Sequence, residues 1–127
     1  MTGADPHSEL LELLARTVRG PRREGVYALW LALRVTGDFL IEPPLPERAT
    51  RRRLAALETR LSSLTLPPPL RRALTGLLHE LKNGGRETVH VVLSTLVAPA
   101  RDSVGPEAAE AVQRAARTAR QAAAASR

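Results

Sequence analysis

One stretch of the chain, Gly25–Ile41, contains its only tryptophan, its only tyrosine and its only phenylalanine. The apolar residues of this stretch are spread around the helical circumference and leave no fully polar face. A helix that is apolar on nearly every side must be covered by neighbouring elements. The stretch therefore predicts a buried central helix, and we interpret its aromatic residues as core packing and not as a platform for a ligand.

The segments around this stretch have apolar residues at helical spacing and are separated by proline and glycine. We expect helices over 6–18, 22–39, 46–64, 70–81, 86–97 and a last segment that begins at 106. In the first of them the apolar positions are Leu10, Leu11, Leu14 and Val18. The chain is thus predicted to be all-α, a compact bundle of five to six short helices with proline-rich connections.

The segment 86–97 is rich in β-branched residues, which are typical of strands. No other segment offers a strand partner, and a lone strand would leave its backbone groups unpaired. We therefore predict a helix here. Pro99, Gly105 and Pro106 are expected to separate it from the last helix, whose alanine-rich face, Ala108 to Ala119, permits close approach of another helix and hence self-association.

A chain of 127 residues fits one domain that buries about two-thirds of the surface its unfolded form exposes. We expect a single helical domain over 1–127, with a flexible start at 1–5 and a frayed tail at 122–127.

The two halves of the chain show a faint internal similarity. The matched positions are Leu13-Leu14 with Leu77-Leu78, Gly20 with Gly84, Arg23-Glu24 with Arg86-Glu87, and Pro46-Glu47 with Pro106-Glu107. Each half would be a three-helix unit, and the two middle helices, 25–39 and 88–97, would meet at the centre. Chance similarity is the alternative in a chain so rich in leucine, alanine and arginine.

Charge and composition exclude several classes of function. The chain has no cysteine, so it has no disulfide, thiolate metal site or thiol nucleophile. No stretch is long enough to span a membrane, and the first residues lack the pattern of a signal peptide, so we expect a cytoplasmic protein without cofactors. The net charge of +6 comes almost entirely from arginine, which selection for arginine chemistry or a GC-rich genome would both explain.

Nine arginines are the strongest candidates for binding a partner or nucleic acid, because guanidinium offers paired donors to phosphates and carboxylates. We expect them to line one basic face or, alternatively, to be solvated helix surface. Few aromatic residues and no recognisable helix-turn-helix accompany them, so nucleic acid would be bound through its phosphates alone. The nine are Arg48, Arg51, Arg52, Arg53, Arg71, Arg72, Arg114, Arg117 and Arg120.

The sequence His79-Glu80-Leu81-Lys82-Asn83 resembles the phosphoacceptor box of sensor histidine kinases. The resemblance implies that His79 accepts a phosphoryl group, with Glu80 beside it as a base. His79 lies opposite the leucine stripe of its helix and should face solvent. Kinase boxes continue with proline in a long helix, whereas Gly84 and Gly85 end this one, and no ATP-binding segment follows. An ordinary exposed histidine near a helix end is the alternative.

Glu87 and His90 have the spacing with which ferritin-like bundles hold iron or manganese. One such pair is half of a site, and a symmetric dimer would have to supply the rest. The valines around His90 favour a buried histidine that is satisfied by the core, so we expect no metal.

No catalytic constellation is present, and we expect a protein that is not an enzyme. The sequence favours a small interaction or regulatory module with a basic, arginine-rich surface and a protein partner, able to form a homo-oligomer. Two alternatives remain: a nucleic-acid-associated protein that uses its arginines, and a phosphotransfer or receiver-docking protein that uses His79.

Overall fold

A computed structural model of the chain describes residues 6–16, 21–40, 46–83 and 87–125. These residues form six helices and no strand, which confirms the predicted all-α bundle. The expected flexible start, 1–5, lies outside the described residues. The helices are α1 (Pro6–Arg16), α2 (Pro21–Phe39), α3 (Glu47–Ser62), α4 (Pro68–Asn83), α5 (Val89–Ser103) and α6 (Pro106–Ala125).

Helix α2 contacts each of the other five helices, which confirms its central position. Its inner side includes Val26, Leu29 and Ala32, all fully or almost fully buried. The prediction that it is buried on every side is wrong, since Tyr27 and Trp30 are only half-buried and Arg34 is exposed. A charged side chain must reach solvent or an ionic partner, and helical spacing brings these three residues to one side.

The leucine stripes of α3 and α4 are buried as predicted, with only Leu64 beyond the end of α3 left half-buried. In α1 the expected stripe is only partly correct. Leu10 is buried and Leu14 is half-buried, but Leu11 is 48% exposed and Leu13 is buried instead, while Val18 lies outside the described residues. Residues three apart, such as Leu10 and Leu13, lie on the same side of a helix. Consecutive residues, such as Leu10 and Leu11, point in different directions.

Segment 86–97 is helical from Val89, after a turn at Glu87 and Thr88, and α5 extends further than predicted, to Ser103. Pro99 lies inside α5, although it lacks the N–H that would bond to the carbonyl of Thr95. The helix continues because Ala100 and Val104 are buried in the core, and such packing outweighs one lost hydrogen bond. It ends at Ser103, two residues before Gly105, whose φ of 140° is a conformation that other residues rarely adopt.

Helix α6 runs to Ala125, so the tail expected to fray from residue 122 is helical as far as the chain is described. Ala123 is buried and continues the alanine face of this helix. That face packs within the chain, where the contact between α5 and α6 is the most extensive between any two helices. It is therefore not available to a second copy, and the predicted route to self-association is wrong.

The two halves of the bundle are arranged with partial symmetry. In each half the middle helix contacts both others, and α1 packs against α6 as α3 packs against α4. The correspondence is incomplete, since α2 contacts α4 and α6 while α5 contacts neither α1 nor α3. The two middle helices do touch each other. Duplication of the sequence itself stays a prediction.

Gly25 marks the closest approach between α2 and the corner that joins α5 to α6. A Cβ atom at this position would lie 2.8 Å from Val104 Cγ2 and 3.5 Å from Leu70 Cδ2. Next to it, Arg22 Nε donates a hydrogen bond to the Val104 carbonyl at 2.7 Å. Absence of a side chain at Gly25 is therefore what lets this corner close over the start of α2.

Gly25→Ala is expected to lower the free energy of unfolding by about 1–3 kcal/mol, because Val104 is buried and branched and has to move. Gly76→Ala, with open space around its Cβ position, is expected to raise it by about 0.5–1 kcal/mol through helix propensity. Urea unfolding followed by circular dichroism measures both. Equal effects of the same sign would contradict the close approach at Gly25.

Candidate functional site

Three of the nine predicted arginines, Arg53, Arg71 and Arg114, make hydrogen bonds or ion pairs within the chain. Arg71 donates to the carbonyls of Leu61, at 3.4 Å, and Leu64, and so satisfies the end of α3. Arg114 pairs with Glu9 of α1 and, at 3.1 Å, with Glu110. The guanidinium groups of Arg71 and Arg114 are therefore already bound to acceptors within the chain.

Six other predicted arginines are exposed and make no hydrogen bond or ion pair with any described residue. Those on α3 and α4 are Arg48, Arg51, Arg52 and Arg72, and those on α6 are Arg117 and Arg120. Helices α3 and α6 do not contact each other. The nine arginines are thus divided among separate parts of the bundle, and the α6 pair does not belong to the α3 group.

A groove of about 190 Å³ lies between α2 and α3 and contains three arginines. We call it the α2–α3 groove. Arg34 enters it from α2, whereas Arg53 and Arg60, seven positions apart on one flank of α3, enter it from the other helix. Its remaining lining is mostly apolar. The full lining consists of Leu31, Arg34, Val35, Asp38, Arg53, Ala56, Leu57 and Arg60.

An ion pair crosses the α2–α3 groove. Arg53 Nη1 donates to Asp38 Oδ2 at 2.7 Å, which ties α3 to α2 and neutralises the one carboxylate of the lining. Arg34 and Arg60 have no ionic partner among the described residues. Three guanidinium groups and one carboxylate leave the groove with a formal charge of two positive units. The electrostatics of the groove therefore favour an anion.

Arg34 is held in place by an aromatic side chain. Its guanidinium carbon lies 5.5 Å from the centre of the Trp30 ring, and Trp30 in turn stacks with Tyr27 at 6.0 Å between ring centres. A cation over an indole face is a favourable arrangement, and it restricts the side chain of the arginine. The structure thus extends the interpretation of Trp30: it packs against the core on one side, as expected, and positions a groove arginine on the other.

The sequence interpretation missed Arg34 and Arg60. Arg34 and Asp38 interrupt an otherwise apolar segment one helical turn apart, and this spacing was a signal of a polar strip on α2. Arg60 lies seven residues after Arg53 and therefore on the same flank of α3. That these two strips face each other depends on how α2 and α3 pack, which the spacing alone does not specify.

A second cavity, of about 560 Å³, lies between the end of α2, the first half of α3 and the end of α4. It includes the ion pair between Lys82 Nζ and Glu58 Oε1, which are 3.2 Å apart. Glu47 and Arg51 supply one further charge of each sign. Its lining is formally neutral, so it lacks the preference for an anion that the α2–α3 groove has.

His79 is exposed, as predicted. Asn83 Nδ2 lies 3.3 Å from His79 Nδ1 and also donates to the His79 carbonyl at 3.2 Å. Glu80, expected beside His79 as a base, instead accepts a hydrogen bond from the Thr88 hydroxyl.

Glu87 and His90 stay apart from other metal-ligating side chains. Glu87 is exposed and His90 is half-buried, so the expected burial of His90 is only partial. Among the described residues, no group of three or more histidine, cysteine, aspartate or glutamate side chains is placed to hold a metal ion. Within that part of the chain, no further side chains therefore complete the half-site formed by Glu87 and His90.

Comparison of the chain with models of protein families, with curated proteins and with solved structures finds no match in any of the three. In the part of the chain that the structure covers, no helix has the length and apolar character needed to cross a bilayer. The candidate function therefore rests on the α2–α3 groove and its charges.

Proposed function

We propose that this protein is a small, non-catalytic interaction module that binds an acidic segment of a partner protein in the α2–α3 groove. The observation that carries the proposal is the pair of guanidinium groups, Arg34 and Arg60, that line this groove without an ionic partner among the described residues. Paired guanidinium donors match the geometry of carboxylates.

The apolar lining of the groove favours a protein segment over a simple anion. Leu31, Val35 and Ala56 offer contacts to an aliphatic or aromatic side chain between the charged residues. Tryptophan and arginine are also the residue types most enriched where interfaces gain their binding energy. Trp30 and Arg34 stand together at the edge of the groove, so we expect them to dominate the affinity.

Nucleic acid fits the same surface less well. A duplex is held by a series of cations that follow its phosphates. Here one of the three groove arginines is already paired with Asp38, and the exposed carboxylate of Glu47 lies on the same helix as the α3 arginines. Repulsion from this carboxylate would oppose a phosphate backbone laid along α3.

A fluorescein-labelled peptide of alternating glutamate and leucine pairs tests the proposal by anisotropy. We expect saturable binding that weakens about tenfold or more in Arg60→Glu, since one attractive charge becomes repulsive. Arg120→Glu on α6 makes the same change of charge outside the groove and should leave affinity within about twofold of the wild type.

Three results would contradict the proposed function. They are the absence of saturable binding, equal weakening by Arg120→Glu, and tighter binding of a random-sequence duplex at matched salt. The same peptide with glutamine in place of glutamate separates charge from apolar contact, and we expect it to bind about tenfold more weakly.

A further inference from the structure

We infer that the acidic group bound in the α2–α3 groove is a phosphotyrosine side chain of the partner protein. This inference rests on the proposed function and specifies its ligand. Its basis is a match of charge, size and surface between one phosphorylated aromatic side chain and the space between Arg34 and Arg60.

The charge of the groove matches a dianion. After Asp38 is neutralised by Arg53, the unpaired groups are Arg34 on α2 and Arg60 on α3. A single glutamate or aspartate would neutralise only one of them. A phosphomonoester carries about −1.5 to −2 charge at neutral pH and has three acceptor oxygens, enough for both guanidinium groups.

The size of the groove matches one aromatic ring. Its volume of about 190 Å³ is below the range of about 300–1,000 Å³ typical of pockets for larger organic ligands. It exceeds the roughly 150 Å³ that suffices to hold benzene in a protein cavity. The half-buried side chains of Leu31 and Val35 and the exposed methyl group of Ala56 provide the apolar surface that such a ring requires.

The groove arginines are also partly ordered before any ligand is present. Trp30 restricts Arg34 from one side, and the Asp38–Arg53 ion pair links the two helices that carry the site. An arginine that is already oriented loses less conformational freedom when it binds. This order favours a compact, doubly charged group that both helices contact at once.

Three small probes test the inference by calorimetry: phenyl phosphate, phenyl sulfate and inorganic phosphate. Phenyl sulfate has the same ring and a tetrahedral head but one negative charge. We expect phenyl phosphate to bind about tenfold more tightly than either of the others, because phenyl sulfate lacks the second charge and inorganic phosphate lacks the ring. Equal affinity for phenyl phosphate and phenyl sulfate would overturn the inference, as would equal affinity for phenyl phosphate and inorganic phosphate.

Substitution and pH provide independent readouts. Arg34→Gln should weaken phenyl phosphate binding about tenfold, whereas Arg101→Gln, an exposed arginine on α5, should not change it. As pH falls through the second phosphate pKa of about 6, the affinity for phenyl phosphate should fall towards that for phenyl sulfate. An affinity independent of pH between 5 and about 8 would contradict the dianion.

The two proposals fail in different ways. If the glutamate–leucine peptide binds in the groove but phenyl phosphate shows no preference over phenyl sulfate, the phosphotyrosine inference is wrong and the interaction module stands. If neither the peptide nor phenyl phosphate binds, both are wrong. Stronger binding of the random-sequence duplex than of phenyl phosphate, lost in Arg34→Gln, would assign the groove to nucleic acid and overturn both.

Discussion

Leu29→Ala is expected to lower the free energy of unfolding by about 3–5 kcal/mol, the upper range for removal of a buried leucine side chain. Leu29 is fully buried on the inner side of α2, the helix that contacts all five others. A cavity at this position is bordered by several helices and cannot close by the movement of one. Urea unfolding followed by far-ultraviolet circular dichroism measures the effect.

Leu11→Ala provides the matched control for this substitution. It removes the same atoms from a helix, but Leu11 is 48% exposed, and we expect a loss of less than about 1 kcal/mol. Equal losses for the two variants would contradict the central position of α2. Trp30→Ala should lower the free energy of unfolding by an amount between these two, since Trp30 packs against the core but is only half-buried.

The double variant Arg34→Glu/Arg60→Glu is expected to weaken binding of the glutamate–leucine peptide by about 100-fold or more. The formal charge of the groove changes from two positive units to two negative units. Both side chains are exposed and have no ionic partner among the described residues, so the fold should persist. Fluorescence anisotropy measures the affinity, and circular dichroism verifies the helical content.

The double variant should also prefer a peptide of the opposite charge. The double variant should bind a lysine–leucine peptide of the same length, because its groove then presents three carboxylates beside one guanidinium group. Arg117→Glu/Arg120→Glu on α6 has the same net charge. If that control loses peptide binding as strongly, net charge and not the groove determines affinity.

Much of the fold could be predicted from the sequence because helical spacing carries the necessary information. The stripes of α3 and α4 are regular, and the prolines and glycines between helices are unambiguous. Pro99 is an exception, because the local sequence predicts a helix break there and α5 continues through it. Its effect on α5 is decided by the burial of Ala100 and Val104, which depends on residues distant in the sequence.

The candidate site could be predicted only in part. The sequence identifies Arg53 as a binding residue but does not single out Arg34 or Arg60. The groove exists because one flank of α2 faces one flank of α3, and that is a property of packing between helices. Arg71 shows the converse: an arginine that resembled surface charge in the sequence satisfies the carbonyls at the end of α3.

The contact of Gly25 and Arg22 with Val104 has a consequence for the order in which the protein is made. Chains emerge from the ribosome with the N-terminal residues first. The start of α2 is covered by a corner that is synthesised about 80 residues later, as the separation of Arg22 and Val104 shows. Part of the apolar surface of α2 therefore stays exposed to solvent until translation has passed Gly105. Folding of this bundle is completed only after α5 has been made, although its central helix is the second of the six described helices to be synthesised.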